Sequence, residues 1–220
     1  MISRIACCTL ALCLVGCAGD PTTLALSDAY RIWTTGGVRQ SDRELSPGFK
    51  YLRVQVDDRE LYMALGYVDQ TPSGPVEVWY SSDADVLHLR NGRLVGATLK
   101  SGPDWSAVAF THLPAWDAIG DHAEFVRRHD ESPGYRYGIL DNIEIRRIAT
   151  PDDTQLKVIP ASSLTWFEED VKGDSSVRPA RYGVNLHGVA GHQVVYAEQC
   201  LSQALCLSWQ SWPYSSKGMP

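Results

Sequence analysis

Residues 51–100 read YLRVQVDDRELYMALGYVDQTPSGPVEVWYSSDADVLHLRNGRLVGATLK, and they decide the fold. Tyr51-Leu-Arg-Val-Gln-Val56 alternates apolar and polar side chains, as a strand does when one face meets a core and the other meets water. Asp57-Asp58-Arg59 is a turn. From Glu60 to Val68 both faces are apolar, with Leu61, Met63, Leu65 and Tyr67 on one and Tyr62, Ala64, Gly66 and Val68 on the other, which predicts a central strand. Val76–Tyr80 and Val86–Arg90 follow, and Asn91-Gly92 stands where a two-residue hairpin needs positive φ at both central positions. Arg93–Thr98 is the returning strand. This is an antiparallel meander, and by itself it specifies no reaction.

Working outward, Ser101-Gly-Pro-Asp104 breaks the pattern. Trp116, Ile119, Ala123 and Val126 recur at near-helical spacing, predicting a helix over 115–128 that Gly120 weakens. Asn142–Ile148 alternates strictly, and residues 155–159, 163–171, 181–187 and 193–199 continue as strands. No helix of convincing length separates them, so parallel βαβ units are not expected. Leu24, Leu26, Ala29, Tyr30 and Trp33 predict a short amphipathic helix before Gly36-Gly37. From Trp209 the tail is aromatic and then Ser, Lys and Gly, with no core left to join. The expected fold is mainly β, a curved antiparallel sheet or incomplete β-barrel with one or two short helices. The β-rich domain spans 41–212 and a flexible tail 213–220.

The N-terminus indicates a compartment. Arg4 lies in a short cationic segment and Ile5 to Val15 is an apolar run of signal-peptide length, too short for a retained membrane span. It ends in Leu14-Val15-Gly16-Cys17, which resembles a bacterial lipobox, so Cys17 is the expected lipidation site after removal of residues 1–16. Residues 17–40 then form a lipidated tether with the short helix. Loss of Arg4 leaves 19 basic against 26 acidic side chains, a formal charge of −7. Ala18 follows Cys17 where inner-membrane retention commonly uses Asp, so an outer-membrane anchor facing the periplasm is expected. With a net acidic chain and no Lys/Arg-rich run, nucleic acid is not an expected partner. Cys200 and Cys206 remain, and in an oxidising space they are expected to pair. Six extended residues would hold them roughly 20 Å apart, so 201–205 must turn back, as a hairpin tip does.

Chemistry is sparse. Glu168 and Asp170 share one face of their strand and Glu169 the other, a spacing open to paired carboxylates but more readily read as a solvated edge. His187 and His192 flank a Gly-rich turn without a third ligand, so neither a metal nor another cofactor is expected. No G-x-S-x-G elbow is present. Aromatic faces stack on sugars, which makes Trp79, Trp166 and Trp209 candidate sugar contacts, with Trp105, Trp116 and Trp212 beside them. For each, core packing is the competing role. No catalytic residue is assigned.

The lipobox, the Ser41-Asp-Arg-Glu-Leu45 approach to the Tyr51 strand, the Trp79 strand and the His88-Leu-Arg-Asn-Gly-Arg-Leu94 hairpin occur in a specific order. A later block runs from Glu168-Glu-Asp170 through Arg181-Tyr182 to Val195-Tyr-Ala-Glu-Gln199. In this the sequence resembles the YjbF/GfcB family of group four capsule and exopolysaccharide lipoproteins, departing at the Cys200/Cys206 pair and over Asp104–Pro133. The resemblance implies a β-rich, non-catalytic accessory or scaffold for capsule or exopolysaccharide assembly or export. Its implied partners are the membrane through the anchor, other export proteins and the polysaccharide itself. A periplasmic polysaccharide-processing hydrolase or a polysaccharide-binding module is the alternative.

Overall fold

The computed structural model describes residue 45 and residues 48–100, 102–173, 176–188 and 191–212. The signal peptide, Cys17, the 17–40 tether with its helix, and the 213–220 tail lie outside the described residues. Twelve strands follow in chain order: β1 (Tyr51–Val56), β2 (Arg59–Thr71), β3 (Gly74–Ser81), β4 (Val86–Arg90), β5 (Arg93–Thr98), β6 (Asp104–Thr111), β7 (His122–Ser132), β8 (Arg136–Ile148), β9 (Thr165–Val171), β10 (Ala180–Asn185), β11 (Gln193–Ser202) and β12 (Leu205–Trp212). Each pairs antiparallel with its sequence neighbours, and β12 pairs with β1 from Tyr51↔Trp212 to Val56↔Leu207. The sheet is therefore a closed up-and-down barrel, not the incomplete barrel expected, and closure leaves no edge strand to protect.

The alternation that predicted the meander also sorts the barrel's inside from its outside. Leu52, Val54 and Val56 of β1 lie beside Leu61 and Met63 of the neighbouring β2 and point into an interior that also takes in Trp79, Leu87, Phe125, Ile145, Phe167, Tyr182 and Trp209. Side chains of this size fill the lumen, each contributing roughly 1.5–3 kcal/mol by burial. At the β4–β5 turn Asn91 and Gly92 take φ of 51° and 75° as that hairpin requires. A Cβ on Gly92 would lie 2.2 Å from Val194, so the turn also needs glycine for space.

Residues 115–128 correct the helix prediction. Only a 3₁₀ turn forms at Trp116–Ala118, followed by β7. The apolar spacing served two purposes that mimic a helix: Trp116 and Ile119 drop into the lumen as a plug, and Phe125 begins an inward-facing strand row. Residues 155–159 form no strand either. Segment 149–164 instead straps the outside of the barrel, and Leu156, Ile159 and Ala161 pack on a small external cluster of Leu164, Trp166, Val195 and Tyr196. The alternation there reflects packing on a wall. Gln210 clips the strap twice, accepting from Lys157 N at 2.9 Å and donating to Lys157 O at 2.7 Å. Arg53 donates to Gln155 O, and Tyr196 OH accepts from Gln155 N. Trp209 belongs to β12 and is buried, so the core reaches into this last strand, while Trp212 at its end is half-buried.

The meander gives the barrel two mouths. Chain enters at Tyr51 and leaves at Trp212 on the upper side, with the β2–β3, β4–β5, β6–β7 and β10–β11 connections; the lower side carries the rest, apart from the strap. Among the described residues no helix is long and apolar enough to cross a membrane. The outer wall carries ion pairs Arg146–Glu168, Arg181–Glu198 and Lys172–Glu124. An apolar lumen inside a charged wall is the reverse of a membrane-spanning barrel, whose lipid-facing residues are apolar.

Candidate functional site

Inward-facing charges need partners, because desolvation of a lone buried ion is expensive. At mid-barrel, alternation on β9 turns Glu169 inward, where its Oε1 accepts from Arg93 Nε at 2.7 Å. The Arg93 guanidinium rests 3.5 Å from the Trp116 ring centre. Tyr182 beside them has its phenol pushed well up by burial and by the Glu169 charge, and it donates to Gln199 Oε1 at 3.3 Å.

At the lower mouth β7 and β8 build a second cluster. His129 is buried; its Nε2 lies 2.9 Å from Glu131 Oε1, while its Nδ1 approaches Asp141 Oδ2 to 3.3 Å without the alignment of a hydrogen bond. Arg127 closes on Asp141 at 2.7 Å and Arg136 pairs with Glu131. Burial pushes the Asp141 carboxyl up, but His129 and Arg127 more than offset it and hold it below the usual value. The Trp105 ring stacks on His129 at 4.2 Å and has the Arg127 guanidinium 4.6 Å from its centre. The space left among these groups is about 270 Å³.

Outside the wall, an open cleft of about 710 Å³ lies between the strap and the lower ends of β1, β11 and β12. Its carboxylates include Glu60, Asp153 and Glu198, its cations Arg53, Lys157 and Arg178, and the Cys200–Cys206 disulfide lies along its floor, joining residues directly opposite in the β11–β12 hairpin. Burial raises the Glu198 carboxyl, against the pull of Arg181 and the Tyr196 hydroxyl. Glu60 pairs with Arg53, and Asp153 with Arg181 at 2.6 Å.

The upper mouth holds a third space of about 290 Å³, lined by Leu52, Leu89, Trp79, Trp209, Glu77 and Ser211, with His192 and Gln193 at its rim. Among the described residues the buried indole N–H groups of Trp79 and Trp209 have no hydrogen-bond partner. Burial raises the Glu77 carboxyl; Trp79 lies close enough to oppose this, yet off hydrogen-bond geometry, and Lys50 opposes it from farther away.

The sequence candidates are therefore scattered. Trp79, Trp166 and Trp209 are 1%, 2% and 3% exposed, and only Trp79 and Trp209 share a cavity; Trp166 donates to Ala161 O at 2.8 Å and pins the strap. Glu168 and Asp170 do share the outer face, but on a strand paired on both sides, so the solvated-edge reading gives way to cross-strand pairing, with Glu168 bound to Arg146 at 2.6 Å. His187 is exposed and His192 lies 3.6 Å from Asp117. Among the described residues no three His, Cys, Asp or Glu side chains are grouped to hold a metal. Arg93, Glu77, His129, Asp141 and Glu198 went unnoticed in the sequence. The available signal was period-2 alternation with a charged residue in an apolar row, as in Phe125, Arg127 and His129.

Fold and cavities define a lumen-filled, water-facing antiparallel barrel with polar pockets at its mouths and under its strap. Residues 49–202 match the family model described as group 4 capsule polysaccharide lipoprotein gfcB, YjbF. The chain belongs to this family of capsule polysaccharide lipoproteins. The fold is similar to that of the crystal structure of the hypothetical lipoprotein YmcC from Escherichia coli K12, with a TM-score of 0.58 and 15% identity over 90% of this chain and 97% of that one. No curated protein matches the chain.

Proposed function

We propose that this protein is an outer-membrane lipoprotein, anchored through Cys17 and facing the periplasm, that assists assembly or export of a capsule or exopolysaccharide without breaking bonds. Membership of a capsule polysaccharide lipoprotein family supports the role. One structural observation supports the non-catalytic form: the carboxylates best placed for acid–base work are each held by a guanidinium, Glu168 by Arg146, Glu169 by Arg93 and Glu60 by Arg53. A carboxylate so paired is engaged by a cation of the fold and is not free to serve a substrate.

Glu198 is the observation that favours the hydrolase alternative, since burial raises its carboxyl in a polar cleft of polymer-accommodating size. The two readings separate in a deletion strain complemented with variants. The deletion should abolish surface polysaccharide, and Glu198→Gln, Glu168→Gln and Asp170→Asn should each restore it at normal expression, while Cys17→Ala should lose palmitate labelling. A general acid contributes roughly 10²–10⁴-fold. A folded, correctly anchored Glu198→Gln that restores nothing would therefore replace the accessory reading with the hydrolase one.

A further inference from the structure

We infer that the lower end of the barrel carries a binding track for an extended oligosaccharide of low charge density, running from Tyr135 and Tyr137 at the β7–β8 tip, past Gln203, into the cleft under the strap, where Lys157 and Arg178 meet its hydroxyls. This deepens the polysaccharide reading given above and rests on it. The tip supplies the stacking surface. Tyr135, Tyr137 and Leu140 are 74%, 70% and 65% exposed on one hairpin, and large apolar side chains gathered in water mark a contact surface. Tyr135 holds a φ of 52°, a left-handed conformation that Gly or Asn adopts at lower cost, so the ring is kept there against the preference of the turn. Each phenol offers an apolar face to the C–H side of a sugar ring and a hydroxyl to its oxygens.

Shared lining joins the tip to the cleft. Arg136, between the two tyrosines, and Ile139 border the space of about 270 Å³ at the lower mouth together with Ser202 and Gln203, and the exposed Gln203 also borders the cleft of about 710 Å³. The cleft is within the range of ligand sites, roughly 300–1,000 Å³. In it Lys157 and Arg178 are exposed and make no ion pair among the described residues; Arg178 lies near Asp153, which Arg181 already holds, and 3.9 Å from Cys206 Sγ. The carboxylates of Asp57 and Asp58 are exposed in the same cleft and make no ion pair either. Two unpaired cations beside two unpaired carboxylates can donate to and accept from hydroxyls, while a polymer densely charged with one sign would be repelled by half of them. The track lies at the end of the barrel opposite the one from which the chain leads back toward Cys17, which favours a polymer in the periplasm over the anchoring lipid surface as its occupant.

The test uses the full-length lipidated protein in a detergent that carries no sugar, titrated by calorimetry with di-, tetra- and octasaccharides prepared by partial hydrolysis of the parent strain's own surface polysaccharide. Affinity should rise at least about tenfold from the disaccharide to the octasaccharide, to a Kd on the order of 0.1 mM. Bound octasaccharide should slow iodination of Tyr135 and Tyr137 and acetylation of Lys157, read by peptide mass spectrometry, and leave the exposed Tyr67 at the other end of the barrel unprotected. Tyr135→Asn with Tyr137→Thr removes both rings from positions whose backbone suits the new residues, so octasaccharide affinity should fall about tenfold with the melting temperature unchanged or raised. Lys157→Gln with Arg178→Gln should weaken the octasaccharide about fivefold, again without loss of stability, because neither cation holds an ion pair. Absence of binding up to roughly 10 mM octasaccharide, affinity that ignores chain length, or equal iodination with and without sugar overturns the track. If only one of the two double variants loses affinity, the site is confined to one end and the continuous track is likewise overturned. These failures are distinct from failure of the functional reading, which would show as surface polysaccharide surviving in the deletion strain.

Discussion

At the lower mouth every formal charge of the cavity meets an opposite one: Arg127 with Asp141, His129 between Asp141 and Glu131, Arg136 with Glu131. At the upper mouth, among the described residues, the cavity's carboxylate Glu77 makes no ion pair, and the buried Trp79 and Trp209 indoles donate no hydrogen bond, although Trp79 lies near Glu77. Trp105 Nε1, His129 Nδ1 and Gln199 Nε2 are unpartnered at the lower end too, so the two mouths differ in their charges and not in their orphan nitrogens. The difference teaches how one barrel can divide its work. The lower end and the mid-barrel pair spend their charges on each other and hold the fold, and the upper end keeps a carboxylate outside any ion pair among the described residues.

The largest effect expected from that division is at mid-barrel. Arg93→Met leaves Glu169 buried without a cation and should cost about 3–5 kcal/mol in urea unfolding. Adding Glu169→Met should recover most of it, because an apolar pair of similar volume avoids the desolvation penalty. A single Arg93→Met as stable as wild type would mean that the pair holds nothing together.

Asp141→Asn tests the lower cluster at a smaller scale. It removes the negative charge that Arg127 pairs with and that lies beside His129, and should cost about 2 kcal/mol near neutral pH. The folded carboxyl is held below its unfolded value near 3.9. A depressed carboxyl contributes stability that is full above the unfolded value and is lost as pH falls through the folded one. The gap in melting temperature between wild type and Asp141→Asn should therefore hold steady from about pH 5 to 8 and shrink below about pH 4. A gap that ignores pH would remove Asp141 as its source.

The Cys200–Cys206 disulfide, on the same lower side, should matter least. It closes a short loop across strands that already pair, so replacing both cysteines by serine should cost at most about 2 kcal/mol and leave the fold intact. Loss of folding on that double substitution would make the lower end depend on a covalent staple, and the comparison between mouths would have to be redrawn.

Strand identity was legible wherever one residue type faced one way. Residues 51–98 alternate, and Asn91-Gly92 marks its turn, so five strands are readable in sequence. Glu169 opposite Glu168 and Asp170 is equally readable, since period 2 allows no other arrangement. Legibility fails at β6, where the register with β7 shifts between Ser106 and Ala109 and Ala107 takes a φ of 49°. The bulge breaks the alternation there. It fails at 155–159 because an outer wall selects the same alternating pattern as a paired strand. Closure itself is not a local property: nothing in Leu205–Trp212 says that its partner is Tyr51–Val56, some 150 residues earlier. The mouths were hidden for the same reason, since Leu52, Glu77, Trp79 and Trp209 meet only when the sheet rolls up.

Zipping the first strand to the last also fixes when the molecule can finish folding. On a chain delivered N-terminus first, β1 to β11 can add as successive hairpins, each a local event, yet the Tyr51↔Trp212 seam waits for the final strand. Until then both β1 and β11 present open edges, and the lumen residues stay wet. A premature stop anywhere before β12 would thus leave a sheet with two adhesive borders, even where, just after β11, it lacks a single strand.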